Sequence, residues 1–338
     1  MTTMVENPKS ASVPVLIPEA DRETLAALLA SARPENTRKT YAAQWSAFTA
    51  YCRAHGLQAM PADAETVAGY IAYLLRTGAS KSRINVARSA ILAVHADGGE
   101  VDHSRMLGQH HGLWLAMRGV SQHFKAQRVT TNKAKAFTRE QVIECSRACP
   151  ETPQGRQDRA VFLLGVNLGM RASELVRLLL SDLTEVEQGM DVYIPYSKTS
   201  DEGYTLALAA LPPRLSDVDA VRAVRAWVDV LEDLGEAQPD KTLVRRVHRG
   251  GMRVYSDAVS EQAISDLVRR VAGRCGIETD GFSGHSLRST MVTLNFLAAT
   301  PEAAIQRTSR HQSTAVLRGY DRSGRWTATP SSRSMWSA

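Results

Sequence analysis

Six side chains in the second half of the chain have the types and the order to act together on a phosphodiester: Arg171, Lys198, His285, Arg288, His311 and Tyr320. Two arginines offer planar forks of N–H groups, a geometry that binds phosphate oxygens in pairs. Lysine and histidine can move protons near neutral pH. A tyrosine hydroxyl can be a nucleophile, although it can equally be an ordinary packed aromatic residue. Together the six favour transesterification at phosphorus, with the protein joined covalently to DNA between two steps.

The sequence shows no pattern for metal-dependent or nucleotide-dependent phosphoryl transfer. It contains no carboxylate cluster of the kind that holds magnesium and no glycine-rich phosphate loop. Cys145 and Cys149 lie one helical turn apart, which favours two small buried residues over a metal pair. We therefore expect no metal site, no cofactor and reduced thiols.

Local context supports grouping these residues. His285 and Arg288 are three positions apart and share one face of a helix. Lys198 lies between two predicted strands, at 191–196 and 204–208, where a lysine on a mobile hairpin tip is usually solvated. Ser313 can cap a short helix at 314–320 that ends in Tyr320. Taken alone, each feature is weak, and their order along the chain carries the information.

The ordered set resembles the active site of the tyrosine recombinases, the family of Cre and the lambda-type integrases. The nine-residue interval between His311 and Tyr320 matches that family's spacing. The resemblance implies that Glu174, one turn beyond Arg171, buttresses the active site without moving protons. It also implies a homotetramer on two double-stranded DNA sites, each with inverted repeats, that exchanges strands through a Holliday junction.

The resemblance further assigns a role to each of the six side chains. Three of them would hold the scissile phosphate: Arg171, Arg288 and His311. Tyr320 would attack the phosphate, Lys198 would protonate the departing 5′ oxygen, and His285 would assist proton transfer. A 3′-phosphotyrosine link conserves the energy of the broken bond, so the family needs no nucleotide cofactor.

Length, composition and charge limit the classes of protein that this chain can belong to. The chain has 338 residues, 43% hydrophobic and 22% charged, which is enough for two globular domains. A net charge of +6 permits a nucleic-acid partner without proving one. The start lacks the pattern of a signal peptide, and no apolar run is long enough to cross a bilayer. We expect a cytoplasmic, nucleoid-associated protein with no membrane partner.

We predict a mainly α protein with two domains. A flexible arm at 1–20 precedes a helical core DNA-binding domain of the SAM-like type at 21–126. A basic linker at 127–136 leads to an α+β catalytic domain at 137–320, which carries a small antiparallel sheet. A tail at 321–338 follows, and docking onto a neighbouring subunit and simple disorder both remain open for it.

Helical periodicity predicts five helices in the first domain. They cover about 21–32, 37–55, 63–76, 81–95 and 104–124, with Asn36 and Ser80 as N-caps. Trp114 is expected to face inward from the fifth. In the catalytic domain, Thr138 is the predicted N-cap of one helix, and Arg171 is predicted to open another that runs to Leu180.

Basic residues in three regions are candidate contacts to the DNA backbone, because neutralising phosphate requires only Lys and Arg. A solvated surface is the alternative for each of them. They lie on two helices of the first domain, in the linker and around a predicted hairpin near Gly250: Arg38, Lys39, Lys81, Arg83, Arg88, Lys125, Arg128, Lys133, Lys135, Arg245, Arg246 and Arg249.

Two other functions compete with site-specific recombination. One is a related phosphotyrosine strand transferase, such as a telomere resolvase or a type IB topoisomerase, against which the compact length argues. The other is a DNA-binding regulator with an inactive site, against which the complete set of six residues argues. A regulator would not need Tyr320.

Overall fold

The computed structural model describes residues 18–128, 134–195, 203–248, 253–255, 259–311 and 313–319. The chain divides into two compact units, Met1–Thr131 and Asn132–Ala338, which are described separately below. Among the described residues, no helix is long and apolar enough to cross a membrane.

All regular elements in the described part of the first unit are helices. Its helices are α1 (Glu19–Ser31), α2 (Glu35–His55), α3 (Ala64–Arg76), α4 (Lys81–Asp97), α5 (Val101–Gln109) and α6 (His111–Ala126). The prediction of one helix over 104–124 is wrong, because His110 has an extended backbone (φ −61°, ψ 124°) that separates α5 from α6.

Local signals account for several of these boundaries. The side chains of Asp63 and Ser80 accept from backbone N–H groups at 2.6 and 3.2 Å and so cap α3 and α4. Gly56 ends α2 in the left-handed region, at φ 65°. Asn36 is not a cap: α2 begins one residue earlier, behind Pro34, whose carbonyl accepts the first backbone bonds.

The aromatic stripe of α2 packs into the core of the first unit. Phe48 is fully buried and lies 5.2 Å from the ring of Tyr70 on α3. Trp114, predicted to face inward, is instead 49% exposed, with the Arg118 guanidinium over its ring. The break at His110 changes the phase of the helix and turns Leu113 inward in its place.

The second unit combines helices with two small antiparallel sheets, which confirms the predicted fold class. Its helices are α7 (Arg139–Arg147), α8 (Pro153–Leu168), α9 (Ala172–Leu175), α10 (Ala220–Asp233), α11 (Glu261–Arg274), α12 (Gly284–Leu297), α13 (Glu302–Ser309) and α14 (Thr314–Arg318). Its strands are β1 (Leu183–Val186), β2 (Gly189–Ile194), β3 (Tyr204–Ala209), β4 (Arg246–Val247) and β5 (Val254–Tyr255).

The three-stranded sheet has the order β1-β2-β3, with Ile194 of β2 paired to Tyr204 of β3. The β2–β3 hairpin was predicted, and β1 was not. The two-residue strands β4 and β5 pair around the predicted second hairpin, of which Gly250 lies outside the described residues.

Helix α8 lies at the centre of the second unit and is buried over most of its length. The helix after it is shorter than predicted, since α9 ends at Leu175 rather than Leu180. The backbone groups of Leu178 and Leu180 bond instead to the segment 241–243, at 2.7 and 2.8 Å. Those bonds need an extended chain, so they compete with a longer helix.

Cys145 and Cys149, predicted as small buried residues, are both buried, and their thiols are free. Burial raises the pKa of Cys149 to about 11, which keeps this thiol protonated at neutral pH.

The described residues at the end of the predicted linker and the start of the second domain are tied to α12 and to the loop before it. The Phe137 N–H donates to the Thr290 hydroxyl at 2.9 Å, and the Ser289 hydroxyl donates to the Ala134 carbonyl at 3.2 Å. The Lys135 N–H donates to the Gly281 carbonyl at 2.8 Å. We call residues 134–137 the anchored segment.

Candidate active site

A tight turn between α8 and α9 positions Arg171. Gly169 ends α8 in the left-handed region at φ 59°, and a Cβ there would stand 2.5 Å from Met291 Cε. Its carbonyl accepts from Arg288 Nη1 at 2.9 Å. The turn therefore supplies the N-cap position that Arg171 occupies and also holds the second arginine.

Helix α12 presents His285 and Arg288 one turn apart, as their spacing predicts. Arg288 is buried, whereas His285 is exposed. The face of α12 behind them carries small hydroxyl side chains, and Thr290 donates back to the Ser286 carbonyl at 2.7 Å. These hydroxyls are satisfied within the protein, so α12 can be buried without an unpaired polar group on that face.

His311 follows α13 and is buried. Its Nδ1 lies 2.7 Å from the Ser309 hydroxyl, and its carbonyl accepts from the Gln306 side chain at 2.8 Å. The predicted cap of the next helix is confirmed, since the Ser313 hydroxyl accepts from the Val316 N–H at 3.2 Å. Local hydrogen bonds therefore hold both His311 and the start of α14.

Glu174 is a buried carboxylate that contacts the first arginine twice. One oxygen accepts from Arg171 Nη1 at 2.7 Å and the other from the Arg171 backbone N–H at 2.8 Å. The second oxygen also accepts from Arg310 Nη2 at 2.5 Å. Glu174 therefore orients Arg171 from behind.

Burial and the charges of this cluster make both histidines poor bases. Burial first, and then the charges of Arg288 and Arg171, lower the pKa of His311 to about 4. Desolvation and the same two arginines also lower the pKa of His285. Both rings are therefore neutral at pH 7, and the structure brings all four of these side chains within electrostatic reach of one another.

Lys198 and Tyr320 lie outside the described residues. The strands on either side of the Lys198 segment are described, and so is the helix that leads to Tyr320, which ends at Arg318 with Gly319 after it.

The structure buries one candidate DNA contact, Arg245, and ties a second, Arg88, partly into the first unit. Arg245 is buried, and its Nε and Nη2 groups donate to the carbonyls of Thr242 and Glu236 at 2.5 and 3.0 Å. Arg88 is half-buried and donates to the Gly108 carbonyl at 3.0 Å, which links α4 to α5. Both arginines thus donate to backbone carbonyl groups within their own unit.

The other candidates differ in what surrounds them. An exposed group comprises Arg38, Lys39, Lys81, Arg83, Lys125, Arg128 and Arg246. Of these, Lys39 pairs with Glu35 at 2.6 Å, and the Arg246 guanidinium lies 4.3 Å from the Tyr255 ring centroid. Lys135 is half-buried, with Glu278 at 3.5 Å, and Lys133 and Arg249 lie outside the described residues.

Sequence reasoning missed Arg310. This guanidinium is buried, contacts Glu174 and lies beside His311 in the chain. Its position next to His311 in the sequence could have indicated it, since an arginine beside a candidate site histidine adds charge to the same pocket. Nothing in the sequence indicates that it reaches Glu174, which is 136 positions away.

Comparisons with known proteins identify the family. The model of the phage integrase family matches residues 135–325, more than half of the chain. An integrase/recombinase XerD homologue from Selenomonas ruminantium is 26% identical over 307 residues, covering 88% of this chain and 84% of that protein.

Two solved structures share the fold at low sequence identity. A lambda integrase dimer bound to a COC′ core site aligns with a TM-score of 0.58 and 16% identity, covering 92% of this chain and 98% of that one. The recombinase XerH bound to its difH substrate aligns with a TM-score of 0.50 and 14% identity, covering 81% and 72%. The chain thus belongs to the phage integrase family and is a site-specific recombinase of the tyrosine type.

Proposed function

We propose that this chain cleaves and rejoins double-stranded DNA through a 3′-phosphotyrosine link at Tyr320. Arg171 and Arg288 bind the scissile phosphate, and Lys198 protonates the departing 5′ oxygen. The observation that carries the proposal is the convergence of Arg171, Arg288, His285 and His311 in one unit, where the two guanidinium charges act on both rings. A doubly charged clamp stabilises the extra negative charge of a pentavalent phosphorus.

Neutral His311 acts in this mechanism as a hydrogen-bond donor. We assign the ring proton of His311 to Nε2, which donates a hydrogen bond to a phosphate oxygen, and Nδ1, 2.7 Å from the Ser309 hydroxyl, is then the acceptor. His285, also neutral, assists proton transfer from the exposed edge of the site. Glu174 holds Arg171 and moves no proton.

We further assign the first unit, within 21–126, to binding the core DNA site, and 127–136 to a basic linker. The catalytic domain covers 137–320. The arm covers 1–20 and the tail covers 321–338. In the first unit, exposed Lys81 and Arg83 at the start of α4 contact the DNA backbone in this proposal. The recombining assembly is a homotetramer on two inverted-repeat sites, and the protein works at the nucleoid in the cytoplasm. The XerH and lambda integrase structures were each solved with DNA, which supports this assignment.

Covalent capture tests the chemistry. The binding site is first found by selecting bound genomic fragments, and a duplex of that site is nicked near the cleavage point so that the cleaved strand diffuses away. Wild type should form an SDS-resistant protein–DNA adduct without magnesium, and Tyr320→Phe should form none. Tyr73→Phe, on α3 of the first unit, is the matched control and should form the adduct at the wild-type rate.

Three outcomes would overturn the proposal. An adduct with Tyr320→Phe would place the nucleophile elsewhere. Tight binding by all three proteins with no adduct would favour an inactive DNA-binding regulator. Relaxation of a supercoiled plasmid that lacks the site, with no recombination of a plasmid that carries two copies, would favour the topoisomerase alternative.

A further inference from the structure

Arg310 occupies an unfavourable backbone conformation next to the candidate catalytic His311. It ends α13 in the left-handed region, at φ 57°, where a residue with a Cβ is uncommon. A glycine would fit this position with less strain. An outlier of this kind at an active site is a reason to look for a function of its side chain.

The side chain of Arg310 is enclosed, with an exposed fraction of 10%. Nη2 donates to Glu174, and the group lies 5.0 Å from the ring centroid of Tyr204. Its Nε and Nη1 are buried and have no hydrogen-bond partner among the described residues. Burial lowers the pKa of Arg310, so its charge is held there at a cost. A buried cation with two unpaired donors contributes poorly to the stability of the fold. We therefore look for the role of Arg310 in the active site.

Glu174 presents a difficulty that a second cation resolves. A carboxylate that faces Arg171 alone at 2.7 Å would neutralise the charge that a phosphate needs, and would compete with that phosphate for the same N–H groups. Arg310 takes part of the carboxylate's charge through the other oxygen, at 2.5 Å. Glu174 then orients Arg171 without fully neutralising its positive charge.

We propose that Arg310 is a positioning residue that keeps Glu174 from neutralising Arg171, so that Arg171 remains available to the scissile phosphate. This inference rests on the proposed role of Arg171. The role is distinct from that of the six residues of the ordered set, because Arg310 acts through Glu174 and does not itself touch the reacting atoms.

The test measures single-turnover cleavage of the nicked duplex by three variants. Arg310→Gly, which relieves the backbone conformation, should cleave about 10- to 100-fold more slowly, the range expected on losing a buried hydrogen bond to a charged group. Arg310→Lys should recover most of the rate, since it restores a cation beside Glu174. Adding Glu174→Gln to Arg310→Gly should raise the rate again, because the competing charge is gone while Oε1 can still accept a hydrogen bond.

Controls separate this role from a structural one. Arg225→Ala removes an exposed arginine that pairs with Glu185 and should cleave as wild type does. Melting temperature confirms that each variant is folded. If folded Arg310→Gly cleaves at the wild-type rate, or if Glu174→Gln does not raise the rate in its background, the inference is wrong. If Arg171→Lys cleaves at the wild-type rate, the proposed function of Arg171 fails instead.

Discussion

Asp158 joins two helices of the second unit through a buried charge, and its removal should destabilise that unit. Its carboxylate is fully buried on α8 and faces two arginines of α11. Arg270 donates to it through Nε and Nη2 at 2.8 and 2.6 Å, and Arg274 Nη2 lies at 2.8 Å. Gln154 donates to the same carboxylate at 2.9 Å. Asp158→Asn keeps the volume and removes the charge that these contacts need.

The magnitude follows from how exposed each partner is. Breaking a buried ion pair by removing one member costs about 3–5 kcal/mol, because the remaining charge stays buried without its partner. Arg270 and Arg274 are 40% and 22% exposed, so water can partly solvate them once the carboxylate is lost. We therefore expect Asp158→Asn to lower the free energy of unfolding of the second unit by about 2–4 kcal/mol.

Hydrogen exchange measured by mass spectrometry reports the free energy of opening of α8 and α11 within the intact chain. Asp217→Asn is a matched control, since Arg147 contacts Asp217 at 2.9 and 2.7 Å but both side chains are exposed. Its cost should stay below about 1 kcal/mol. Equal and small losses of protection for the two variants would refute the argument that burial sets the cost.

Three further expectations follow from residues already described. Gly169→Ala should slow cleavage by more than tenfold, as measured with the nicked duplex, because φ 59° is strained for alanine and the new Cβ meets Met291. The depressed pKa of His311 means that the unfolded chain takes up its proton first on acidification, so stability should fall between the ordinary histidine range and about pH 4. Urea unfolding across that range should lose part of its pH dependence in His311→Gln. Trp227→Phe should lower the free energy of unfolding by about 1–3 kcal/mol in urea titrations, since it leaves the buried Leu243 carbonyl, now bonded at 2.9 Å, without its donor.

Features with a local signal were predictable from the sequence. Ser80, Thr138 and Ser313 each cap the helix that was predicted for them, because a cap needs nothing beyond the next three residues. The β2–β3 hairpin and the α12 pair His285 and Arg288 follow from periodicity in the same way.

Features that depend on distant partners were missed. The helix after Arg171 stops early because Leu178 and Leu180 bond to a segment some sixty residues further along the chain. Arg245 looked like a surface cation because it stands in a basic run, yet its backbone pairs at 2.7 and 2.8 Å with the side chain of Gln157, 88 positions away, which holds it inside the unit. Arg310 escaped notice for the same reason, since its partner Glu174 is remote in sequence. Composition and periodicity do not encode such pairings.

The anchored segment has a mechanical consequence for the catalytic helix. Its hydrogen bonds to Thr290, Ser289 and Gly281 are made to α12 and to the loop before it, and α12 carries His285 and Arg288. A pull on the chain ahead of Ala134 would therefore reach α12 through these three hydrogen bonds, and α8 through the Phe137 ring, whose centroid lies 5.3 Å from that of Phe162.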